Sequence, residues 1–253
     1  VKNEQIEQAN EHLDFLLKLV PEHPFTNQLK GLISYQKSEY KQALEYTEKA
    51  LQNGLDSASN RVIAGLSAFK LDQYELAHQY LVTLSDQLPS THIVHRILAL
   101  LQMELGYSTD AGNTLEGIEE VTSQDINLFT TVSFELLKAG KKEEAQKLLL
   151  KTKDIVKGNS QEMTKVGILR LSMDDVDGLA NLEKAVEIDP NSPMARTALA
   201  AAYIKTKEYD KALKLANKWK DTNPKQIEGY NLAARVYLLQ KNIIAAEKEF
   251  NVA

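Results

Sequence analysis

The sequence predicts an all-α solenoid of about fifteen antiparallel helices. Three observations carry that reading. Small residues recur at a fixed step: Ala9, Ala43, Ala77, Ala111 and Ala145 are 34 apart, then Gly178 follows after 33, and Ala212 and Ala246 after 34 each. Other residue types keep the same period, with Tyr40 and Tyr74, Gly31 and Gly65, Tyr203 and Tyr237, and Pro190 and Pro224 all 34 apart. Helix-breaking residues are scarce, with 11 Gly and 6 Pro in 253 residues, which suits long helices with short punctuation.

Each period reads as two helices. In 193–226, Ala195, Leu199, Ala202 and Tyr203 recur at helical spacing, the turn KEY follows, and DKALKLANKWK is a second amphipathic segment stopped by DTNP. Ala212 falls where the two helices should cross, so a larger side chain there would hold the backbones apart. The units follow in order as a half unit at 1–23, then 24–57, 58–91, 92–125, 126–158, 159–192, 193–226 and 227–253. Unit 126–158 carries the short step, Thr152 in place of a second small residue, and no closing proline. The next unit has Gly178 at the crossing and the turn SMDDVDG. Changed curvature or looser stacking is expected around 152–178, unless this is ordinary repeat degeneracy. The chain starts at Val1 and ends at Ala253 inside a helical pattern, so it reads as a piece of something longer.

The residues that repeat are Gly31, Tyr40, Ala43 and Ala50 in one unit and Gly65, Tyr74, Ala77 and Pro89 in the next. Further along they are Tyr203, Tyr209, Ala212 and Pro224, then Tyr230, Tyr237, Ala246, Phe250 and Ala253. This pattern resembles the tetratricopeptide repeat (TPR) over the whole chain. The resemblance implies a right-handed α-α superhelix whose first helices line a concave surface.

It also implies which residues face that surface. They are Phe25, Gln28, Leu32 and Tyr35; Ser59, Val62, Leu66 and Phe69; Ile93, Arg96, Leu100 and Met103; and Asn127, Thr130, Phe134 and Leu137. In the later units they are Ser160, Met163, Gly167 and Arg170; Met194, Thr197, Ala201 and Ile204; and Glu228, Asn231, Arg235 and Leu238. An exposed apolar stripe of this kind marks an interaction site, here for an extended peptide or an amphipathic helix. The competing reading is that some of these side chains pack between adjacent helices. The clamp by which TPR co-chaperones hold a C-terminal carboxylate needs Lys and Asn where this chain has Gln28, Leu32 and Ile63, or Thr197, Ala201 and Leu232. That argues against an EEVD-type tail as ligand.

With 30 Lys+Arg against 35 Asp+Glu the chain carries −5, which argues against nucleic acid as a partner. No apolar run approaches the roughly 18 residues that span a membrane. The charge is uneven. Residues 1–126 hold 9 basic and 18 acidic residues, and 127–253 hold 21 and 17. Two basic clusters stand out: Lys138, Lys141, Lys142, Lys147, Lys151, Lys153 and Lys157, and Lys205, Lys207, Lys211, Lys214, Lys218, Lys220 and Lys225. They read either as a surface for anionic lipid or glycan, or as solvated helix faces with interspersed acids.

No cofactor, metal or catalytic residue is expected, and the chain reads as non-enzymatic. With no Cys there is no thiol nucleophile or Cys-based zinc site within these residues. Phosphate-loop, dinucleotide, zinc-protease and nucleophile-elbow motifs are missing. His92 and His95 stand three apart on one helix, short of the three or four ligands of a zinc site. Asp174, Asp175 and Asp177 lack the twelfth-position Glu of a calcium loop, where Ala185 stands. Trp219 reads as inter-unit core, with stacking on a sugar as the alternative.

The phrases LLKLVPEHPFTNQLKGLISYQKSEYKQAL, LEKAVEIDPNSPMARTALAAAYIKTKEYDKAL and NLAARVYLLQKNIIAAEKEF resemble, more narrowly, the TPR lipoproteins of the bacterial PEP-CTERM protein-sorting system. That resemblance implies a lipid-anchored, periplasm-facing scaffold working beside exopolysaccharide machinery. The alternatives are a cytoplasmic co-chaperone or regulatory adaptor, and a glycan-binding module.

Overall fold

A computed structural model describes the backbone of residues 2–252 and the side chains of residues 6–252. Val1 and Ala253, the outer ends of the first and last units, lie outside the described residues. Among those described, fifteen α-helices and one 3-10 turn, Ser123–Asp125, account for the regular structure, with no strand. The chain divides into two compact units, residues 1–120 and 121–253.

The first unit runs α1 (Lys2–Leu19), α2 (Pro24–Gln36), α3 (Tyr40–Gln52), α4 (Ala58–Lys70), α5 (Tyr74–Val82), α6 (Ile93–Glu104) and α7 (Ser108–Glu116). Successive helices pack against one another, and α2 also touches α4. The second unit runs α8 (Ile126–Lys138), α9 (Lys142–Leu150), α10 (Ser160–Ser172), α11 (Asp177–Ile188), α12 (Pro193–Lys205), α13 (Tyr209–Thr222), α14 (Ile227–Leu239) and α15 (Ile243–Phe250). There α8, α10 and α12 lie side by side as a layer of first helices. In both units the core forms where successive helices pack. In the first, Leu44, Ala64, Ala68, Ala77, Leu81, Leu84, Val94, Leu98 and Leu101 form one cluster spread over four successive helices. This is how a helix pair too thin to bury its own apolar face completes its core with its neighbours.

Local sequence explains where the helices start. The side chains of His23, Ser57, His92, Asn159, Ser192 and Asn242 each accept a hydrogen bond from an amide of the first turn that has no partner inside the helix. Pro24 and Pro193 occupy the first helical position, where a missing N–H costs nothing. A second regularity ties four of the helix pairs to the turn before them. The residue six after a proline donates to that proline's carbonyl: Asn27 to Pro21 (2.8 Å), His95 Nε2 to Pro89 (2.9 Å), Arg196 to Pro190, and Tyr230 to Pro224 (3.3 Å). Four different donors do one job, which hides the pattern from letter matching.

The crossing residues behave as the period predicts. Ala43, Ala77, Ala111, Ala145 and Ala212 have no exposed surface, and Ala246 and Gly178 are buried. Ala9 is the exception. It is exposed because, among the described residues, no helix precedes α1 to cross it.

The turns inside the helix pairs correct the sequence reading. Each turn has one residue in the left-handed region: Ser38, Asp72, Gly106, Gly140, Asp174, Lys207 and Lys241. Six of these stand five residues before the crossing position, but Asp174 stands only four before Gly178. The missing residue therefore lies between Asp174 and Gly178, not in 126–158. The shortened turn is pinned by Arg170. Its guanidinium is buried and donates to Asp175 Oδ2 (2.7 Å), Asp177 Oδ2 (2.9 Å) and Asn181 Oδ1 (3.1 Å).

Helices α10 and α11 also cross very closely. A Cβ on Gly178 would fall 2.6 Å from the carbonyl oxygen of Gly167, and a Cβ on Gly167 would fall 2.9 Å from that of Gly178. Glycine faces glycine here because neither position has room for a methyl group.

Thr152 marks a different departure. At its position Ala50, Ala185 and Trp219 lie within second helices of 13, 12 and 14 residues. Where Leu84, Ile118 or Thr152 stands instead, the second helices α5, α7 and α9 are nine residues long and stop before it. The chain then folds those side chains under the hairpin, all of them buried.

Candidate functional site

The first helices position the residues expected to meet a partner. Their Cβ directions repeat every 34 residues, so equivalent side chains share one face of the layer. In the first unit Phe25, Leu32, Ile93 and Leu100 are exposed. Beside them Val62, Leu66 and Phe69 are half-buried and pack against the core cluster. Tyr35 leans edge-on against Tyr40, with ring centroids 5.6 Å apart, and Met103 is half-buried. Two polar members are committed locally. Gln28 donates to Ser57 Oγ (3.0 Å), and Arg96 donates to the carbonyl of Glu120 (2.9 Å). The face on α2, α4 and α6 is thus a ridge of exposed apolar side chains on a half-buried base.

In the second unit Phe134 is exposed on α8, Leu137 is half-buried, and Thr130 is buried with its hydroxyl on the carbonyl of Ile126 (2.9 Å). On α10 the expectation fails by one residue. Met163, Gly167 and Arg170 are buried, and Ser160 donates to the Ala185 carbonyl (2.8 Å). The face is made instead by Gln161, Ile168 and Leu171, which stand 34 residues after Asn127, Phe134 and Leu137, while Thr164, like Thr130, is buried. The spacing of the crossing residues alone leaves open on which side of α10 the short step falls, and the left-handed Asp174 shows that the 34-residue step holds until there. Applying the short step one helix too early misplaced the whole row. Downstream the register returns, and Met194, Thr197 and Ala201 are exposed on α12, as are Glu228, Asn231, Arg235 and Leu238 on α14.

Two clefts open along this face. One, of about 290 Å3, lies over α8 and α10 between Phe134, Lys165, Ile168 and Met194. The other, of about 610 Å3, lies over α10 and α12, floored by Ile168, Leu171, Met194, Ala198 and Ala201 and edged by Lys205. They share Ile168 and Met194 and so read as one groove across three helices.

Other candidates resolve into structure. His92 Nδ1 accepts from the Val94 amide (3.2 Å), while His95 is the proline-carbonyl donor, so each imidazole has its own task. Asp175 and Asp177 serve Arg170, and Asp174 is shared by Lys142 (2.9 Å) and Lys205 (3.6 Å). The hydrogen bond from Lys142 holds the Asp174 carboxyl below its ordinary range. Trp219 is buried, lies 5.2 Å from the Arg196 guanidinium and donates to Gln226, which fits core packing rather than an exposed sugar platform. Several lysines of the basic clusters have acidic partners: Lys138 with Glu135, Lys157 with Asp154, Lys211 with Glu183 and Glu208, and Lys220 with Glu249. That pairing favours solvated helix faces over an anion-binding surface. No helix among the described residues is long and apolar enough to cross a membrane.

A family model described as a tetratricopeptide repeat matches residues 176–236, the segment from the start of α11 through most of α14. Solved structures extend the likeness in fold to nearly the whole chain. A chain of the Naa15/Naa10 complex bound to HypK-THB is 18% identical with a TM-score of 0.62, over 97% of this chain and 37% of that one. This chain therefore spans little more than a third of that relative. The C-terminal part of a TPR repeat-containing protein from Cytophaga hutchinsonii is 14% identical with a TM-score of 0.54, over 88% of this chain and 92% of that one. At these identities the TPR-like stacking of helix pairs is the shared feature.

Proposed function

We propose that the chain is a non-enzymatic scaffold that binds a peptide or an amphipathic helix along the faces of its first helices. The observation that carries this reading is the row of exposed apolar side chains at repeat spacing. Phe25, Leu32, Ile93 and Leu100 supply it in the first unit, and Phe134, Ile168 and Met194 in the second. Apolar side chains that recur in register on one face, beside half-buried ones that already serve the core, have no packing role of their own and suit a partner. The likeness to the PEP-CTERM lipoproteins supports a place in the bacterial envelope, in sorting or export of surface proteins beside the polysaccharide machinery.

The test is capture from envelope extract by the chain and by a Leu32→Glu, Leu100→Glu, Phe134→Glu variant. These positions are exposed, so the helical CD signal and the melting temperature should hold while a specific partner is lost. Equal capture by both proteins would refute the groove reading. Recovery of the full-length protein in the cytoplasmic fraction would refute the envelope assignment.

A further inference from the structure

Equivalent positions of the first helices carry Phe134 on α8, Ile168 on α10 and Ala201 on α12. The face is therefore filled by a bulky side chain on two helices and left open on the third. Ala198 and Ala202 flank the same spot, and the larger cleft, about 610 Å3, lies there. Its floor is apolar, and its rim is not neutral. Lys205 lines this cleft and Lys165 lines its neighbour, whereas no carboxylate lines either one.

Both ammonium groups retain donor capacity. Lys165 Nζ donates to Asn127 Oδ1 (2.8 Å). Lys205 Nζ donates to the Leu171 carbonyl (2.6 Å), and its acidic neighbour Asp174 is the nearer partner of Lys142. An ammonium has three N–H groups, so an incoming carboxylate can be accepted at either rim. Arg235 is exposed on α14 at the same position of its helix as Ala201 on α12. Over residues 121–253 there are 21 Lys+Arg and 18 Asp+Glu, a net of +3, against 9 and 17, a net of −8, over residues 1–120.

We propose that the opening at Ala201 is a specificity pocket that takes a bulky apolar side chain of a peptide, and that acidic residues flank that side chain. The pocket supplies selection by shape, and Lys165 and Lys205 supply selection by charge. The inference deepens the scaffold reading and rests on it.

The probe is a phage-displayed library of random peptides, selected against the whole chain and then measured as synthetic peptides. Selected peptides should share a bulky apolar residue with Asp or Glu nearby, and their binding should weaken as salt rises. Ala201→Leu fills the pocket at an exposed position, so it should weaken binding by about tenfold or more without lowering the melting temperature. The pair Lys165→Ala and Lys205→Ala should flatten the salt dependence.

Peptides that bind Ala201→Leu as well as the parent, or that carry neutral or basic flanks, would overturn the pocket. If those same peptides were lost on Leu32→Glu with Leu100→Glu, the scaffold reading would stand without it. Enrichment of no peptide at all would remove both.

Discussion

Gly178→Ala tests the close approach of α10 and α11. Alanine is favoured over glycine inside a helix by at most about 1 kcal/mol, so propensity alone predicts a more stable protein. The structure predicts the opposite. The new methyl carbon would sit 2.6 Å from the Gly167 carbonyl oxygen and 2.9 Å from Arg170 Cβ and Leu171 Cγ. The nearest atom belongs to the backbone and cannot rotate aside, so relief requires the two helices to separate. A backbone clash that cannot relax takes the upper part of the about 1–3 kcal/mol range for overpacking, about 2–3 kcal/mol, which less the propensity gain of about 1 kcal/mol leaves a net loss of about 1–2 kcal/mol. For a unit of this size that lowers the melting temperature by about 3–8 °C. Gly117→Ala is the comparison, because its new methyl would come no nearer than 3.4 Å to a neighbouring atom, the carbonyl oxygen of Thr114. Thermal unfolding followed by CD should show the larger fall for Gly178→Ala. An unchanged or raised midpoint for Gly178→Ala would refute the proposed crossing geometry.

Arg170→Ala should destabilise the second unit by about 1–3 kcal/mol, since Asp175, Asp177 and Asn181 lose their shared donor and the shortened turn loses its anchor. Chemical denaturation measures it, and an unaltered midpoint would show that the turn holds without the guanidinium. Burial, reinforced by the negative charge and hydrogen bond of Glu48, pushes the Tyr80 hydroxyl from 10.0 up to about 12. A group whose pKa is raised on folding contributes stability that is complete below its unfolded value and lost as pH climbs through the folded one. Stability should therefore decline between pH 10 and about 12. Tyr80→Phe should make that decline shallower, and identical alkaline limbs in denaturation series would show that Tyr80 does not contribute.

The helical array was legible because a solenoid writes its packing into the chain as a period. The buried crossing positions at Ala43, Ala77, Ala111, Ala145 and Ala212 follow from a steric rule that acts identically in every unit. The exposure of Phe25, Leu32, Leu100 and Phe134 follows from the same register. Failure came where the register breaks. A single missing residue turns a helix face by about 100°, so a one-residue error exchanged exposed Ile168 and half-buried Leu171 for buried Gly167 and Arg170. Only the left-handed residue Asp174 shows on which side of the break α10 lies.

The sequence by itself determined the kind of unit, the places where helices cross and the face turned away from the core. These depend on interactions between residues close along the chain or one period apart. Tertiary structure alone decided that Leu66 and Phe69 half-serve the core, that Arg170 pins a shortened turn, and that the face opens at Ala201 between neighbouring helices. Those outcomes depend on the distance and angle at which neighbouring helices settle, a collective result of many contacts that no single spacing encodes.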